Sequence, residues 1–262
     1  MSPPTSLCYT DDHHGQLLMQ LKNRVALVTG GAKRIGRAIA LGIAARGAHV
    51  AFSYLSSSAE ARATAKAIES LGVQALPVKA DLSKAASIKR LTAQVWDTFG
   101  RLDVLVNSAS NFYETPYERL TERDWDLALD TNAKGPFLCS WHASHLMRRN
   151  GSGKIINLAD WAGERPYKDY LPYCVSKAAI IALTKALAKE LAPTIQVNAI
   201  APGPMLAPED MTPAHRARVA AKVPLKRWGS PQDIVNTALY LIEGTDFATG
   251  AVFYVDGGRM IA

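Results

Sequence analysis

Short apolar runs alternate with helix-like segments along almost the whole chain, and this alternation constrains the fold more than any other feature. The β-branched runs predict strands, because each is short and ends at glycine or polar residues. Seven strands are predicted, at 24–29, 49–53, 74–78, 103–107, 154–158, 196–200 and 251–255. Strands that alternate with helices form parallel sheets with helices on both faces. The prediction is therefore a doubly wound, seven-stranded α/β sheet of the Rossmann type.

Helices are predicted between these strands, at 35–46, 57–71, 83–99, 121–149, 172–191 and 231–243. No linker-like composition interrupts the alternation, so residues 21–262 are interpreted as one domain. Residues 1–20 hold paired aspartates and paired histidines without a strand pattern, which predicts a flexible N-terminal tail. Either Met19 is the natural start, or the residues before it form a mobile tail.

Composition excludes several classes of function. The net charge is +7, but the lysines and arginines are scattered without a long basic run, so no nucleic-acid partner is expected. No apolar stretch is expected to be long enough for a membrane span, and no secretory signal is recognised. Three cysteines without metal-like spacing suggest a reducing cytoplasm and no metal site.

The segment from Thr29 to Gly36 follows a predicted strand and opens a helix, which is the context of a phosphate-binding turn. Glycines there let the backbone approach a pyrophosphate, and the helix N-terminus favours its negative charge. This segment predicts a dinucleotide cofactor.

The choice between NAD and NADP is indicated by the residues near this turn. An NAD site needs a carboxylate at the end of the second strand, but residues 52–58, which include Tyr54 and Ser56, contain none. Lys33 and Arg34 place positive charge at a helix N-terminus, which the helix dipole opposes unless a phosphate is bound. NADP(H) is therefore the expected cofactor.

Tyr173 and Lys177 lie four residues apart, and hence on one face of a predicted helix. A neighbouring ammonium favours the phenolate form, so Lys177 is expected to lower the pKa of Tyr173 and to prepare it for proton transfer. The pair is common by chance, but its place after the fifth strand of a dinucleotide-binding fold makes it significant.

Over residues 21–262 the sequence resembles the short-chain dehydrogenase/reductase family. The resemblance rests on the Thr29–Gly36 turn and the Tyr173/Lys177 pair, together with Asp81-Leu82, Asn107-Ser108-Ala109, Asn132, Pro202-Gly203 and Val255-Asp256-Gly257-Gly258. The resemblance implies that Tyr173 donates a proton, Lys177 holds the nicotinamide ribose and Asn132 supports Lys177 through a water. It also implies that Asp81 and Leu82 border the adenine, that Asn107 lines the cofactor cleft, and that the protein is a homotetramer. The expected cofactor-binding residues are Gly30, Lys33, Arg34, Ile35, Gly36, Tyr54, Ser56, Asp81, Leu82, Asn107, Ala109, Ser110, Tyr173, Lys177, Pro202 and Gly203.

The sequence departs from the family pattern at two positions, and at both it resembles the pteridine reductases, including the dihydromonapterin reductases. Arg34 stands where most members have glycine, and Asp160 stands where most have a serine, thirteen residues before the tyrosine. The segment after the fourth strand is also similar, which implies that Ser110 contacts cofactor or pterin and that Phe112 stacks on the pterin ring. Phe112 has an equally good alternative as an aromatic residue packed into the core. Arg34 is expected to contact the substrate side of the cleft as well.

The exchange of serine for aspartate favours a different substrate. An ionised Asp160 would repel the oxyanion that forms from a ketone, whereas a partly buried carboxyl with a raised pKa can deliver a proton to a ring nitrogen. The predicted function is NADPH-dependent reduction of a dihydropteridine by Asp160, Tyr173 and Lys177. The alternatives are a carbonyl or 3-oxoacyl-thioester reductase, and a silent dinucleotide-binding protein. For Asp160 itself, the alternative is a strand-end residue that caps the following turn.

Overall fold

The computed structural model describes residues 18–207 and 211–262, and it contains a seven-stranded parallel sheet. The strands are β1 (Val25–Thr29), β2 (His49–Tyr54), β3 (Ala75–Lys79), β4 (Val104–Asn107), β5 (Gly153–Leu158), β6 (Ile195–Pro202) and β7 (Val252–Val255). Their order is β3-β2-β1-β4-β5-β6-β7, and every pairing is parallel. The strand order reverses between β1 and β4, which is where ligands bind in such sheets. The predicted fold is confirmed.

The helices are α1 (Arg34–Ala44), α2 (Ser58–Glu69), α3 (Ala85–Phe99), α4 (Glu122–Leu129), α5 (Gly135–Arg149), α6 (Leu171–Leu191), α7 (Pro213–Ala221) and α8 (Pro231–Leu239). The predicted helix over 121–149 is α4 and α5 joined by a π-helical turn at Asp130–Lys134. Helix α7 was not predicted. It begins where the Thr212 side chain accepts a hydrogen bond from the backbone N–H of His215, with Pro213 in the first turn.

The sheet is buried on both faces, as β1 illustrates. Ala26 and Val28 belong to one apolar core with helices α1 and α8, and Val25 and Leu27 belong to a second core with helices α3 and α5. Successive side chains of a strand point to opposite faces, so a strand that is apolar throughout must be covered on both sides. This arrangement leaves the loops at the carboxyl ends of the strands to form a site.

By length and composition alone, helix α6 is long and apolar enough to cross a bilayer. The expectation that no apolar stretch is long enough for a membrane span is therefore wrong. Half of its apolar window is buried inside the fold. Ile180 and Ile181 pack against Ala199 and Ala201 of β6. The apolar character of α6 is therefore explained by its packing on the sheet.

The domain boundary at residue 21 stays a prediction. Of the expected tail at 1–20, residues 1–17 lie outside the residues that the structure describes.

Candidate active site

The turn between β1 and α1 is packed tightly against the end of β4. Gly30 has a φ of +66°, and a Cβ on it would lie 2.8 Å from the Cα of Ala109. A Cβ on Gly36 would lie 2.3 Å from the carbonyl oxygen of Gly30. Thr29 Oγ1 ties the two segments together by accepting hydrogen bonds from the N–H groups of residues 108 and 109. Only glycine fits at both positions, and the N-terminus of α1 faces out from the turn, as dinucleotide binding requires.

Arg34 adopts a backbone conformation that favours glycine. Its φ is +54°, which costs an L-residue about 1–2 kcal/mol. Its side chain is exposed, and Nη2 makes a long contact of 3.5 Å with the carbonyl oxygen of Leu206, beyond β6. The neighbouring Lys33 is also exposed, and the first turn of α1 contains no acidic residue. Two cations therefore stand at a helix N-terminus, one of them on a strained backbone.

A cavity of about 310 Å³ lies beside Asp81, near the end of β2. Leu55, Lys79, Lys84 and Arg90 contribute to its lining. Sequence reasoning missed these three cations, because they come from β3 and α3 and converge only in the folded chain. Tyr54 ends β2, and Leu82 is buried beside Asp81. This region provides positive charge where an NAD site would have a carboxylate.

Asp160, Tyr173 and Lys177 are brought together where β5 ends and α6 begins. Tyr173 Oη donates a hydrogen bond to Asp160 Oδ2 over 2.6 Å. Lys177 Nζ donates to the carbonyl oxygen of Leu158 over 2.9 Å and lies 5.6 Å from the centre of the Tyr173 ring. The structure thus places a phenol, a carboxyl and an ammonium within one buried group.

Burial shifts the pKa of all three groups away from the charged form. It raises the pKa of Asp160, although the hydrogen bond from Tyr173 and the charge of Lys177 oppose this shift. The pKa of Tyr173 is raised well above its usual value by burial and by the carboxyl of Asp160, so the net shift is opposite to the one expected from the Lys177 charge. Burial also lowers the pKa of Lys177 to about 8.

The two oxygens of Asp160 have different partners. Oδ1 accepts a hydrogen bond of 2.7 Å from the backbone N–H of Ala162 and so caps the short 3₁₀ turn at Trp161–Gly163. Oδ2 faces Tyr173. The capping role and the proton-transfer geometry, which the sequence offered as alternatives, are both present. The cap fixes the carboxyl that the phenol contacts.

Asn132 lies in the π-helical turn between α4 and α5, and it holds the loop after β4 in place. Its Oδ1 accepts from the N–H of Asn111, and its Nδ2 donates to the carbonyl oxygen of Asn111 and to Ser176 Oγ. The side-chain partners of Asn132 are thus the loop that carries Phe112 and the helix that carries Tyr173. Support of Lys177 through a water, which the resemblance implied, stays a prediction.

The side chain of Asn107 turns into the interior, whereas the resemblance implied that Asn107 lines the cofactor cleft. Its side chain is buried, and its Nδ2 donates to Asn157 Oδ1 over 2.8 Å and to Ser140 Oγ over 3.0 Å. Within the part of the chain that the structure describes, its Oδ1 has no hydrogen-bond partner. Asn107 therefore joins the sheet to α5. At the other end of the site, a Cβ on Gly203, after Pro202, would lie 2.6 Å from the Cα of Asp256.

Phe112 is half-exposed, so the alternative of a core residue is wrong. Its ring stacks on Tyr170 with centres 4.4 Å apart and meets the Tyr173 ring edge-on at 4.7 Å. A β-bridge between Thr115 and Tyr170 holds the two loops together. Ser110 is exposed beside this loop. The aromatic rings form a wall next to Tyr173.

Tyr167 and Tyr170 belong to this wall but were not predicted. Tyr167, Tyr170 and Tyr173 recur every third residue. That spacing was the available signal, although the first two lie in a loop.

The comparisons with known proteins agree with this geometry. A model of the family described as Enoyl-(Acyl carrier protein) reductase matches residues 30–259. The 3-oxoacyl-[acyl-carrier-protein] reductase of Staphylococcus epidermidis is 38% identical over 242 residues, which cover 90% of this chain and 98% of that protein. A solved short-chain dehydrogenase/reductase from Serratia marcescens superposes with a TM-score of 0.87 and 34% identity, covering 92% of this chain and 100% of the other. A blue fluorescent protein from a metagenomic library, solved in complex with NADPH, gives a TM-score of 0.84 at 31% identity, covering 92% and 99%.

The chain belongs to the short-chain dehydrogenase/reductase family, and it is an oxidoreductase that uses a nicotinamide dinucleotide. The family-level resemblance is thereby confirmed. The name of the Staphylococcus relative agrees with the alternative interpretation, a 3-oxoacyl-thioester reductase, better than with a pteridine reductase.

Proposed function

We propose that the protein is an NADPH-dependent reductase of a C=N bond in a dihydropteridine, with dihydrobiopterin, dihydromonapterin and dihydrofolate as candidate substrates. One observation carries the proposal. The carboxyl of Asp160 accepts a hydrogen bond of 2.6 Å from the Tyr173 hydroxyl, and its pKa is raised by burial. The family usually has a neutral serine hydroxyl at this position, and a carboxyl there changes which substrates can be reduced.

The protein's own groups supply the proton. NADPH, when bound, supplies the hydride. A carboxyl with a raised pKa keeps its proton closer to neutral pH than an ordinary aspartate, and it can deliver that proton to a ring nitrogen. Tyr173 keeps its proton at neutral pH, because its pKa is raised. Asp160 and Tyr173 thus form a donor pair, and Lys177 adds positive charge that favours the carboxylate left after transfer.

The turn at Gly30 is packed tightly against Gly36, and Ile35 and Gly36 lie in the first turn of α1. This geometry suits a pyrophosphate at the N-terminus of α1. The preference for NADP rests on positive charge. Arg34 keeps a charged side chain at a position where glycine would remove backbone strain, and strain of this kind marks functional positions.

The aromatic wall supports a planar substrate. Phe112 is half-exposed and already stacks face to face on another ring, Tyr170, beside the proton donor Tyr173. An aromatic ring prefers offset stacking on a flat partner, and a pterin provides such a partner. Flexible acyl chains gain less from such a surface.

A 3-oxoacyl-thioester reductase is the second candidate, and the name of the Staphylococcus relative favours it over the first. However, the matched family model is named for an enoyl reductase, whereas the Staphylococcus relative is named for a 3-oxoacyl reductase. Sequence similarity of this degree therefore does not fix which bond of the substrate is reduced. When Asp160 is ionised, the site disfavours the second candidate, since a carboxylate beside Tyr173 repels the developing oxyanion.

The test follows NADPH absorbance with dihydropterins, dihydrofolate, a 3-oxoacyl thioester and simple ketones. Turnover of the dihydropterins with the highest kcat/KM is expected. Preference for the thioester or for ketones would overturn the proposal and support the second candidate. Tight NADPH binding without turnover of any of these would indicate the silent dinucleotide-binding protein. The cytoplasmic location and the homotetramer stay predictions.

A further inference from the structure

The cavity beside Asp81 is lined by three cations that come from two elements. Lys79 ends β3, Lys84 immediately precedes α3, and Arg90 lies in the second turn of α3. All three are exposed, and none of them forms an ion pair with another described residue. Asp81 Oδ1 accepts hydrogen bonds from the N–H and the hydroxyl of Ser83, over 2.9 Å and 2.7 Å. The cavity therefore carries a net positive charge.

Lys79 stands beside the position that distinguishes NAD sites from NADP sites. It is the register partner of Tyr54, the last residue of β2. Side chains of paired residues on neighbouring strands share a face of the sheet, so the charge of Lys79 lies beside the end of β2. An NAD site has a carboxylate at that end, which holds the ribose 2′-hydroxyl. Here a cation on the neighbouring strand takes its place, and Leu55 extends the end of β2 into the cavity lining.

The other two cations share one side of α3. Lys84, Ser87 and Arg90 follow one another at intervals of three residues, which places them on the same side of a helix, and all three line the cavity. Ser87 is buried, and its Oγ accepts a hydrogen bond of 3.0 Å from the N–H of Asp81. This bond holds the start of α3 against the end of β3, so the cations of the two elements converge on one space.

A phosphate group is the ligand that these side chains suit. Unpaired like charges repel, and a phosphate relieves that repulsion while it accepts two parallel hydrogen bonds from an arginine and single ones from lysines. Ligand sites measure roughly 300–1,000 Å³, so a cavity of about 310 Å³ suits one end of a dinucleotide rather than the whole cofactor. We propose that Lys79, Lys84 and Arg90 bind the 2′-phosphate of NADP(H) and set the preference for NADP(H) over NAD(H).

These three cations are outside the cofactor-binding residues that the family resemblance implied. That set takes its positive charge from Lys33 and Arg34, at the start of α1. The 2′-phosphate site adds β3 and α3 to the elements that hold the cofactor, and it rests on the NADPH dependence of the proposed function.

The measurement is the pair of dissociation constants for NADPH and NADH, obtained by titration of the full chain without a substrate. We expect the wild type to bind NADPH more tightly than NADH. Lys84→Ala and Arg90→Ala should each weaken NADPH binding about tenfold, because one charge-assisted contact to phosphate is lost, and should leave NADH binding unchanged. Arg90→Lys, which keeps the charge without the planar guanidinium, should lose less.

Lys89→Ala is the matched control, because Lys89 is an exposed cation next to Arg90 that lines a different cavity, beside Trp96 and His142. It corrects for the general attraction between positive charge and the additional phosphate of NADPH. If Lys84→Ala and Arg90→Ala lose no more NADPH affinity than Lys89→Ala, or lose NADH affinity equally, the inference is overturned.

Two adenosine fragments repeat the test without the nicotinamide half of the cofactor. Adenosine 2′,5′-bisphosphate carries the 2′-phosphate and AMP lacks it, so Arg90→Ala should weaken the binding of the bisphosphate alone. Adenosine 3′,5′-bisphosphate should bind less tightly than the 2′,5′ isomer to the wild type. Tighter binding of the 3′,5′ isomer would overturn the assignment to NADP(H).

The outcomes separate this site from the proposed function. A wild type that prefers NADPH, with the preference unchanged in Lys84→Ala and Arg90→Ala, would refute the phosphate site and leave the proposed function intact. A wild type that binds NADH as tightly as NADPH would refute the NADPH dependence and the phosphate site with it. Loss of the preference in both variants, with no pterin turnover by the wild type, would support the phosphate site and refute only the substrate of the proposed function.

Discussion

The groups around Asp160 and the cations around Arg34 both lie at the carboxyl ends of the strands, but they are held in different ways. Asp160, Tyr173 and Lys177 are largely buried, and each has a short hydrogen bond to a fixed partner. Lys33 and Arg34 are exposed, and the one side-chain hydrogen bond of Arg34 to the described residues is 3.5 Å long. The Asp160 end is therefore held by the protein's own short hydrogen bonds, whereas the exposed end offers positive charge on side chains that the protein holds loosely.

This difference predicts opposite kinetic behaviour at the two ends. Changes at the buried end should act on kcat, because fixed groups there act on the reacting atoms. Changes at the exposed end should act on cofactor affinity and respond to salt.

The largest effect is expected for Tyr173→Phe. The ring keeps its packing against Phe112, but the hydroxyl that contacts Asp160 is lost. We expect kcat/KM to fall about 10²–10⁴-fold for whichever substrate the enzyme reduces, with little change in NADPH affinity. Steady-state kinetics and NADPH titration check this, with the exposed Tyr117→Phe as control. A variant that keeps a tenth of the activity would contradict the proton role.

Arg34→Gly should weaken NADPH binding about 10- to 100-fold, because a charge-assisted contact to phosphate is lost. Its melting temperature should be unchanged or higher, since glycine tolerates a φ of +54°. Asn23→Gly is a matched control, because Asn23 has a φ of +61° away from the site. Unchanged NADPH affinity in Arg34→Gly would show that the arginine does not hold the cofactor.

Titration of Arg34→Gly with NADH as well as NADPH shows which phosphate of the cofactor Arg34 contacts. A loss confined to NADPH assigns the cation to the 2′-phosphate, and a loss for both cofactors assigns it to the pyrophosphate. Lys84→Ala and Arg90→Ala test the cavity beside Asp81 in the same way.

The pH profile should show a decline that begins closer to neutral pH than an ordinary aspartate would give. Burial raises the pKa of Asp160, so its proton is present below that pKa and is lost as the pH rises through it. Pterin kcat/KM should then fall about tenfold per pH unit. Loss of the Lys177 charge above its pKa of about 8 should steepen the decline. A flat profile from pH ~5 to ~9 would contradict proton delivery by Asp160.

Salt should have the smallest effect, and only at the exposed end. Raising the ionic strength from about 0.1 M to about 1 M shortens the screening length from roughly 10 Å to roughly 3 Å. We expect the KM for NADPH to rise a few-fold while kcat stays constant. A salt-dependent kcat would mean that the buried group is more open to solvent than the structure indicates.

Sequence patterns predicted the strands closely, because apolar runs buried on both faces leave a strong periodic signal. The strand predicted at 196–200, for example, is Ile195–Pro202. The spacing of Tyr173 and Lys177 placed these two residues on one helix face, and the family resemblance added Asp160, at the end of the preceding strand, to the same group.

The features that sequence patterns missed depend on burial and on loops. The direction of the Tyr173 pKa shift follows from burial and the carboxyl of Asp160, which no spacing reveals. The Trp161–Tyr167 contact joins two parts of a loop. Asn107 follows the motif of a cleft residue, yet its side chain turns towards Asn157 in the interior.

The central claim is that the carboxyl of Asp160 sets which bond is reduced. It is tested most directly by the ratio of kcat/KM for a dihydropterin to that for a 3-oxoacyl thioester, in the wild type and in Asp160→Ser. We predict that the wild type favours the dihydropterin and that the ratio falls about 10²-fold or more in the variant, with thioester reduction retained or increased. A ratio that is unchanged by the substitution, or a wild type that favours the thioester, would contradict the claim.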